Sequence, residues 1–322
     1  MIRRVFVALA LLCGAASAWA DITLDTARAE FRAMHNEEAQ RQFEQLRTQA
    51  PDDPVVLHYL GRLQLRAYHR RQAVDLLRRA VALAPDIAEY RINLCEALGA
   101  YIDEVPFYRK LTLAREIHRN LLAGVAADPS VVDLHDGLMK FYLDAPLIIG
   151  GGHDQAEDEA ARIAALDPVR GHVAHGVIAA HDRHYGEAER EFRAAIEAAP
   201  DRPLARYELG RVQLAQGHYD AALATYRALQ QALPGETAVY YAMAEVAAQS
   251  GQRLEAGLTA LNIYLARGPR TDDDPSLALA YRLLGRLSAR GDRPEAAREA
   301  YRTALRLDPG DGVAAQALRQ LD

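Results

Sequence analysis

A single hydrophobic pattern recurs along the chain. In residues 54–87, 203–236 and 278–311, an apolar stripe with spacings of three and four residues runs into Leu-Gly-Arg, and a polar turn follows. A second stripe then contains an alanine, a large side chain four residues later, and a closing proline. Spacings of three and four residues indicate one face of a helix, and proline ends a helix. Each stretch therefore predicts two amphipathic helices joined by a turn.

The small residues of the pattern predict how these helices pack. Each first helix carries a glycine and each second helix an alanine at a fixed place: Gly61 with Ala73, Gly210 with Ala222, and Gly285 with Ala297. A glycine lets the neighbouring helix approach closely. One helix pair cannot bury its apolar stripe alone, whereas stacked pairs can, so we expect neighbouring pairs to share a continuous interior.

This pattern resembles the tetratricopeptide repeat, a helix–turn–helix unit of about 34 residues. The resemblance covers nearly all of the chain after residue 20. It implies an all-α fold, a right-handed α–α superhelical solenoid over 21–311 with about eight helix pairs, followed by a capping helix at 312–322. The expected units are 20–53, 54–87, 88–131, 132–168, 169–202, 203–236, 237–268 and 278–311.

Two consecutive units are longer than the others. The closing prolines of regular units lie 34 residues apart, but 44 residues separate Pro85 from Pro129 and 39 separate Pro129 from Pro168. The repeat frame places the excess between the two helices of each unit, around 101–108 and 145–154. Because stacked units share a register, both inserts should emerge at the same edge of the solenoid and could touch.

The inserts have two interpretations. Insertions in solenoids often lie on a functional face, and exposed apolar side chains require an explanation. In the favoured interpretation, Phe107, Tyr108, Leu147 and Ile148 instead cover a gap between helices. The candidate insert residues are Phe107, Tyr108, Pro146, Ile148, Gly150, Gly151 and Gly152. A third departure, the polar stretch 267–275, is expected to be a surface linker without chemistry.

The first 20 residues have the features of an export signal. Two arginines precede an apolar run that is too short to span a membrane, and Ala18 and Ala20 supply the small residues of a cleavage site. We expect cleavage after Ala20 and a periplasmic or secreted protein. A leucine before Cys13 disfavours a lipid anchor. Export would leave Cys95 as the remaining cysteine, and we expect it to be a buried, inert thiol.

Charge and composition limit the function further. The formal net charge is −6 for the whole chain and −8 without residues 1–20, which argues against a nucleic-acid partner. No later segment is apolar enough to span a bilayer. The chain shows no nucleophile motif and no paired carboxylates in a recognisable frame, so we expect no catalytic residue and no cofactor.

An alternative hypothesis is an envelope hydrolase or a metal-binding protein that uses the 144–154 loop and nearby histidines. The three glycines at 150–152 do not fit a phosphate loop, because His153 follows where such a loop has lysine. Four histidines lie between 172 and 184. They cannot all bind one ion in a straight helix, because His181 follows His172 by nine residues and lies on the opposite face.

The family resemblance also indicates a binding surface. In tetratricopeptide repeat proteins, the first helices of the units line a concave groove that receives a segment of a partner. The candidate groove residues at the corresponding positions are His58, Arg62, Lys140, Tyr207, Arg211, Tyr241, Arg282 and Arg286.

The arginines suggest the charge of the partner. An arginine fork binds a carboxylate with two hydrogen bonds, so the groove would favour acidic segments or a C-terminal carboxylate. The same arginines could equally pair with glutamates of neighbouring helices. The sequence thus predicts a non-catalytic adaptor or scaffold of the bacterial cell envelope that binds other proteins.

Overall fold

A computed structural model describes residues 23–321, and this part of the chain contains 17 α-helices and no strand. The all-α solenoid expected from the sequence is confirmed: eight helix pairs follow one another, and one further helix covers the end. The export signal, its cleavage after Ala20 and Cys13 lie outside the described residues. The helices are α1 Leu24–Arg32, α2 Asn36–Gln49, α3 Pro54–Arg66, α4 Arg70–Leu83, α5 Ala88–Tyr101, α6 Phe107–Ala127, α7 Val132–Asp144, α8 His153–Leu166, α9 Pro168–His181, α10 Tyr185–Ala198, α11 Leu204–Ala215, α12 Tyr219–Ala232, α13 Ala238–Ser250, α14 Leu254–Arg267, α15 Leu277–Arg290, α16 Pro294–Leu307 and α17 Gly312–Arg319.

Most regular pairs share one turn geometry. The residue two places before the second helix has a left-handed backbone, with φ of 61° at Met34 and Tyr68, 63° at Arg183 and 75° at Gly217. Tyr68 follows Met34 by 34 residues, and Gly217 follows Arg183 by 34. The repeat period seen in the side chains is therefore also a period of the backbone.

The glycines of the first helices permit close contact, as expected. A Cβ added at Gly210 would lie 2.4 Å from the Tyr226 ring, and one at Gly285 would lie 2.6 Å from the Tyr301 ring. Both distances are far below a van der Waals contact, so only glycine lets the ring reach the first helix. Tyr226 is 2 % exposed, which makes this contact part of the apolar interior.

The two long units depart from the regular turn. Short 3₁₀ turns at Ile102–Glu104 and Leu147–Ile149 take the place of the left-handed residue. Much of the first insert is helical, because α6 begins at Phe107 and has 21 residues, whereas every other second helix in the described part has 14. Pro168, which the sequence frame treated as a closing proline, is instead the first residue of α9, where its missing N–H costs nothing.

The solenoid returns on itself, so that its C-terminal end contacts its second helix pair. Arg70 at the start of α4 forms an ion pair with Asp308 after α16, with an N–O distance of 2.7 Å. The Tyr68 hydroxyl donates a hydrogen bond to the Ser276 side chain. The stretch 267–275, expected to be a plain surface linker, takes part in the same contact, because its Asp272 forms ion pairs with Arg62 and Arg66 of α3.

Candidate partner-binding groove

First helices from the N-terminal half line a cavity of about 490 Å³ inside the superhelix. Its wall is formed by side chains of α3 and α5, the residues that precede and begin α7, and the linker between α14 and α15. The lining residues are Arg62, Glu89, Ile92, Asn93, Glu96, Val131, Asp133, Thr271, Asp272 and Asp273. The linker thus covers part of a groove that the sequence predicted to be open.

Carboxylates dominate this cavity. Burial raises the pKa of Glu96, Arg62 partly opposes the rise, and the linker aspartates add to it. Like charges close to one another in a partly enclosed space resist ionisation. This half of the groove is therefore a poor place for an acidic ligand while the linker lies across it.

Groove position Arg62 is occupied by the linker. Its guanidinium forms ion pairs with Glu89 at 3.3 Å and with Asp272, which also binds Arg66 of the same helix. Burial alone would raise the pKa of Asp272, but the hydrogen bond from Arg66 and the charges of both arginines outweigh it, so that pKa is lowered. The contact spans 210 residues of sequence and was not predicted.

Arg66 is held in place by contacts within the N-terminal repeats. Its guanidinium carbon lies 3.6 Å from the centre of the Phe31 ring, and Nη1 donates to Asn36 Oδ1 at 2.7 Å. Such contacts fix the arginine fork, which lowers the entropic cost of binding a carboxylate. The sequence does show three consecutive aspartates in the linker and two arginines one helical turn apart on α3. It gives no indication that these two segments lie next to each other.

The C-terminal half of the groove holds the remaining basic candidates. Burial raises the pKa of Glu245 on α13, whereas the charges of Arg286, Arg211 and Arg282 lower it. The four side chains therefore share one electrostatic environment. We use the name C-terminal groove for the surface of Lys140, Arg211, Tyr241, Glu245, Arg282 and Arg286.

Most basic side chains of the C-terminal groove have an ion-pair partner, although none of these partners is a glutamate of a neighbouring helix, as the pairing alternative proposed. Lys140 binds Asp136 at 2.8 Å, Arg211 binds Glu208 at 2.8 Å, and Arg282 binds Asp311 at 3.2 Å. The pairs of Lys140 and Arg211 lie within one helix, whereas the partner of Arg282 is the N-cap residue of α17, two helices after α15.

Arg286 differs from these three residues. Its Nε and Nη2 atoms are buried and have no hydrogen-bond partner among the described residues. Buried polar atoms in folded proteins are nearly always paired, so this guanidinium edge is an unusual feature of the groove.

Tyrosines form the apolar part of the same wall. The Tyr207 hydroxyl donates to Glu236 Oε1 at 3.0 Å, and its ring is half-buried. The Tyr241 ring lies edge-on to Tyr264 with 5.8 Å between ring centres, and burial raises the pKa of Tyr241 to about 12. Both tyrosines remain neutral at physiological pH and offer partly accessible rings.

His58 was predicted to face the groove, and this prediction is wrong. The side chain is 1 % exposed, stacks on Tyr90 with 4.4 Å between ring centres, and its Nε2 accepts a hydrogen bond from Asn93 Nδ2 at 2.6 Å. Burial lowers the pKa of His58 to about 3. It is a neutral interior residue whose position in the repeat lies between the core stripe and the groove.

The insert residues are far more exposed than the packing interpretation allows. Phe107 is 76 % exposed, Tyr108 69 %, Leu147 84 % and Ile148 79 %. These four side chains therefore do not cover a gap between helices. Val105 and Ile149 fill the interior at these places instead, with 7 % and 8 % exposure.

The three glycines have a structural role in the second insert. Gly150 has a left-handed backbone with φ of 101°, and a Cβ at Gly151 would overlap the Ala145 carbonyl oxygen at 1.6 Å. The glycines thus allow the chain to turn sharply between exposed Pro146 and the start of α8. No phosphate-binding arrangement is needed to explain them.

The histidines pair with carboxylates. His153 Nε2 lies 2.6 Å from Asp182 Oδ2, and His181 Nδ1 lies 3.2 Å from the other oxygen of the same carboxylate. His172 pairs with Glu191 at 2.8 Å on a different surface. In residues 23–321, no group of three or more histidine, cysteine or acidic side chains is arranged to hold a metal ion.

Cys95 is a free thiol in a largely apolar environment. Its Sγ lies 3.6 Å from the Ile117 carbonyl oxygen, and burial raises its pKa to about 12. The thiolate is therefore scarce at neutral pH, which agrees with the expectation of an inert thiol.

Comparison with known proteins places the repeats in a family. No curated protein matches the chain. The family model described as tetratricopeptide repeat matches residues 173–237 and 241–312.

Solved structures that resemble the chain include two TPR proteins and a chain of the APC/C hetero-tetramer Cut9–Hcn1. A thermophilic TPR protein of Thermus thermophilus has 21% identity and a TM-score of 0.49, with 59% of this chain and 97% of that one covered. A tetratricopeptide repeat protein from Parabacteroides merdae has 13% identity and a TM-score of 0.46, with 92% and 96% covered. The APC/C hetero-tetramer Cut9–Hcn1 has 15% identity and a TM-score of 0.48, with 92% and 54% covered.

These similarities are too low to carry an argument about partners. The family match and the fold agree, because the matched stretches contain the Gly210–Tyr226 and Gly285–Tyr301 contacts described above. The stretches 173–237 and 241–312 thus match the tetratricopeptide repeat family, and the helix pairs before them continue the same all-α repeat architecture.

Proposed function

We propose that this protein is a non-catalytic adaptor of the bacterial cell envelope that holds an acidic segment of a partner protein in its C-terminal groove. The repeat family supports the adaptor class, since stacked helix pairs present a long continuous surface to a partner. The export signal predicted for residues 1–20 supports the location.

The observation that carries the acidic ligand is the contact between Arg62 and Asp272. Arg62, Arg211 and Arg286 follow Leu-Gly at the same place of three repeats. At Arg62 this position binds the carboxylate of a non-helical segment, the linker of the same chain. The arginines at the equivalent position of α11 and α15 would do the same for a segment of a partner.

Arg286 supplies a reason for the partner to bind. A buried N–H group without an acceptor costs roughly 1–3 kcal/mol. The long side chain can turn its fork toward the groove, and a ligand carboxylate would then provide the missing hydrogen bonds. Arg211, whose side chain is 67 % exposed, provides a second charge, and the Tyr241 ring provides apolar area.

The test is peptide binding by charge-reversed variants. A fluorescent peptide rich in aspartate and glutamate should bind the wild type, and Arg211→Glu with Arg286→Glu should weaken binding by at least about tenfold. The matched control is Arg227→Glu with Arg302→Glu, which makes the same change of charge on exposed positions of α12 and α16. Equal affinity of both double variants would refute the acidic-ligand proposal.

The proposed location has a separate test. Protein recovered from the cell envelope should have a mass that corresponds to a chain beginning at Asp21. Recovery of the uncleaved chain in the cytosol alone would contradict the export proposal and leave the peptide-binding result unaffected.

A further inference from the structure

The two inserts carry the most exposed large apolar side chains of the described residues. Phe107, Tyr108, Leu147 and Ile148 are each more than two-thirds exposed, whereas large apolar residues elsewhere reach at most 64 %, at Val313. Single exposed apolar residues are ordinary, but four of them at the only two interruptions of the repeat period in this region form a feature that folding does not require.

Both inserts lie against α6. The turn Leu147–Ile149 leads into Gly150, where a Cβ would lie 2.9 Å from the His118 ring. Phe107 precedes His118 by 11 residues, about three helical turns, so both project from the same face of α6. Phe107 therefore lies along the same face as the Leu147–Ile149 turn, about three helical turns toward the start of α6, and Tyr108 lies about 100° around the helix from it.

Basic side chains accompany this apolar surface. Arg115 and Arg119 follow Tyr108 by 7 and 11 residues, which places them beside it on α6, and both are exposed. Neither has an ion-pair partner in the part of the chain that the structure describes. We use the name insert surface for Phe107, Tyr108, Arg115, Arg119, Leu147 and Ile148.

The acids of the inserts do not neutralise these arginines. Asp103 is paired with Lys110 at 3.1 Å, and Glu104 is paired with Arg70 at 2.7 Å. The second insert, residues 145–154, has one acidic residue, Asp154, which lies in the first turn of α8. Both charged residues of the insert surface are arginines, in a chain whose formal net charge is −6.

We infer that the insert surface docks the protein on a bilayer that contains anionic lipids. The leucine, isoleucine and phenylalanine would enter the boundary between headgroups and acyl chains, the tyrosine would lie at headgroup level, and the two arginines would bind lipid phosphates. A flat bilayer fits this surface because its apolar side chains project outward and line no cavity. No helix within residues 23–321 has the length and apolarity to cross a membrane, so the docking is peripheral.

Sedimentation of the purified protein with vesicles tests this inference. The wild type should sediment with vesicles of phosphatidylcholine and phosphatidylglycerol, and much less with phosphatidylcholine alone. The triple variant Phe107→Ser, Leu147→Ser, Ile148→Ser should bind the vesicles at least about tenfold more weakly, because it removes the apolar side chains that would enter the bilayer. Val313→Ser, at the exposed apolar residue of α17, is the matched control and should bind like the wild type.

A second variant separates lipid charge from apolar contact. Arg115→Gln with Arg119→Gln should weaken binding to the phosphatidylglycerol vesicles and leave the weak binding to phosphatidylcholine unchanged, and added salt should weaken the wild type in the same way. Two results would overturn the inference. One is wild-type protein that stays in the supernatant with both vesicle types. The other is concentration-dependent self-association that the triple variant abolishes, which would make the surface an interface between copies of this chain.

Discussion

Replacing Asp272 by asparagine should open the linker while the repeats stay folded. The substitution keeps the size of the side chain and removes the charge that joins the linker to Arg62 and Arg66. Arg62 retains Glu89, and Arg66 retains Asn36 and the Phe31 ring, so the arginines keep partners and the damage is confined to the linker.

The burial of the three charges sets the size of the effect. The side chains of Asp272, Arg62 and Arg66 are 30 %, 22 % and 12 % exposed. Hydrogen bonds to charged groups contribute about 1.5–3 kcal/mol each when buried, and exposed ion pairs about 0–1 kcal/mol. The three charges are only partly buried, and the asparagine can still accept one hydrogen bond. We therefore expect Asp272→Asn to lower the free energy of linker opening by about 1–2 kcal/mol.

Hydrogen exchange of the linker amides measures this opening directly. A loss of about 1–2 kcal/mol predicts exchange of residues 270–276 that is roughly 5 to 30 times faster, while amides of the buried helices keep their rates. The control is Asp273→Asn, since Asp273 is exposed and forms no ion pair in residues 23–321. Equal exchange in the two variants would show that the ion pairs do not hold the linker.

The pH dependence of the same contact has a fixed sign. The pKa of Asp272 is lowered in the folded protein from its ordinary value of 3.8. The stabilisation is therefore fully present above pH 3.8 and is lost as the pH falls through the lower folded value. Exchange of the linker in the wild type should approach that of Asp272→Asn under those acidic conditions.

Three further predictions concern stability, each measured by urea unfolding. Gly210→Ala should lower the free energy of unfolding by about 1–3 kcal/mol, because the added Cβ overlaps an aromatic ring. At Gly99 an added Cβ meets no atom within 4 Å, so Gly99→Ala should be neutral or stabilise by up to about 1 kcal/mol. A loss of the same size at both sites would contradict the close-contact argument. Burial lowers the pKa of His58 from 6.5 to about 3 in the folded protein. The free energy of unfolding should therefore fall by up to about 1.4 kcal/mol per pH unit as the pH drops from 6.5 to 3, and His58→Gln should flatten that slope. Parallel curves for the variant and the wild type would exclude a buried neutral His58. His135→Leu removes one of the two partners of buried Glu159, which keeps Arg162, and should cost about 1–3 kcal/mol. His172→Leu breaks a half-exposed pair and should cost less than about 1 kcal/mol. Similar losses in the two variants would refute this ranking by burial.

The fold could be predicted because its rules are local. The glycine of a first helix and the aromatic residue of the following helix lie 16 residues apart, as Gly210 and Tyr226 do, and a single repeat contains the whole contact. The same holds for the left-handed turn residues, which recur with the period of the side chains. Any contact that is repeated in several units leaves a pattern that one sequence can show.

The exposure of the inserts and the burial of His58 could not be predicted in the same way. His58 has the repeat position of a groove residue, but its neighbour Asn93 offers an amide donor and Tyr90 offers a ring, and these partners belong to the next unit. The inserts occur once each, so no second copy indicates which of their apolar residues face inward. In both cases the outcome depends on packing between units that the pattern does not specify.

The linker contact follows from geometry that accumulates over the whole chain. Each unit adds a small rotation, and after about eight units the last helices reach the second pair. Whether the two surfaces then attract one another depends on their charges, and here an arginine pair meets the aspartates of the linker. A groove guanidinium holds the linker at Arg62, and the guanidinium of Arg286, whose Nε and Nη2 have no hydrogen-bond partner among the described residues, would be available to a partner. The linker crosses the groove at one end only. An adaptor built in this way would bind an acidic segment of a partner at the other end while the linker stays in contact with Arg62 and Arg66.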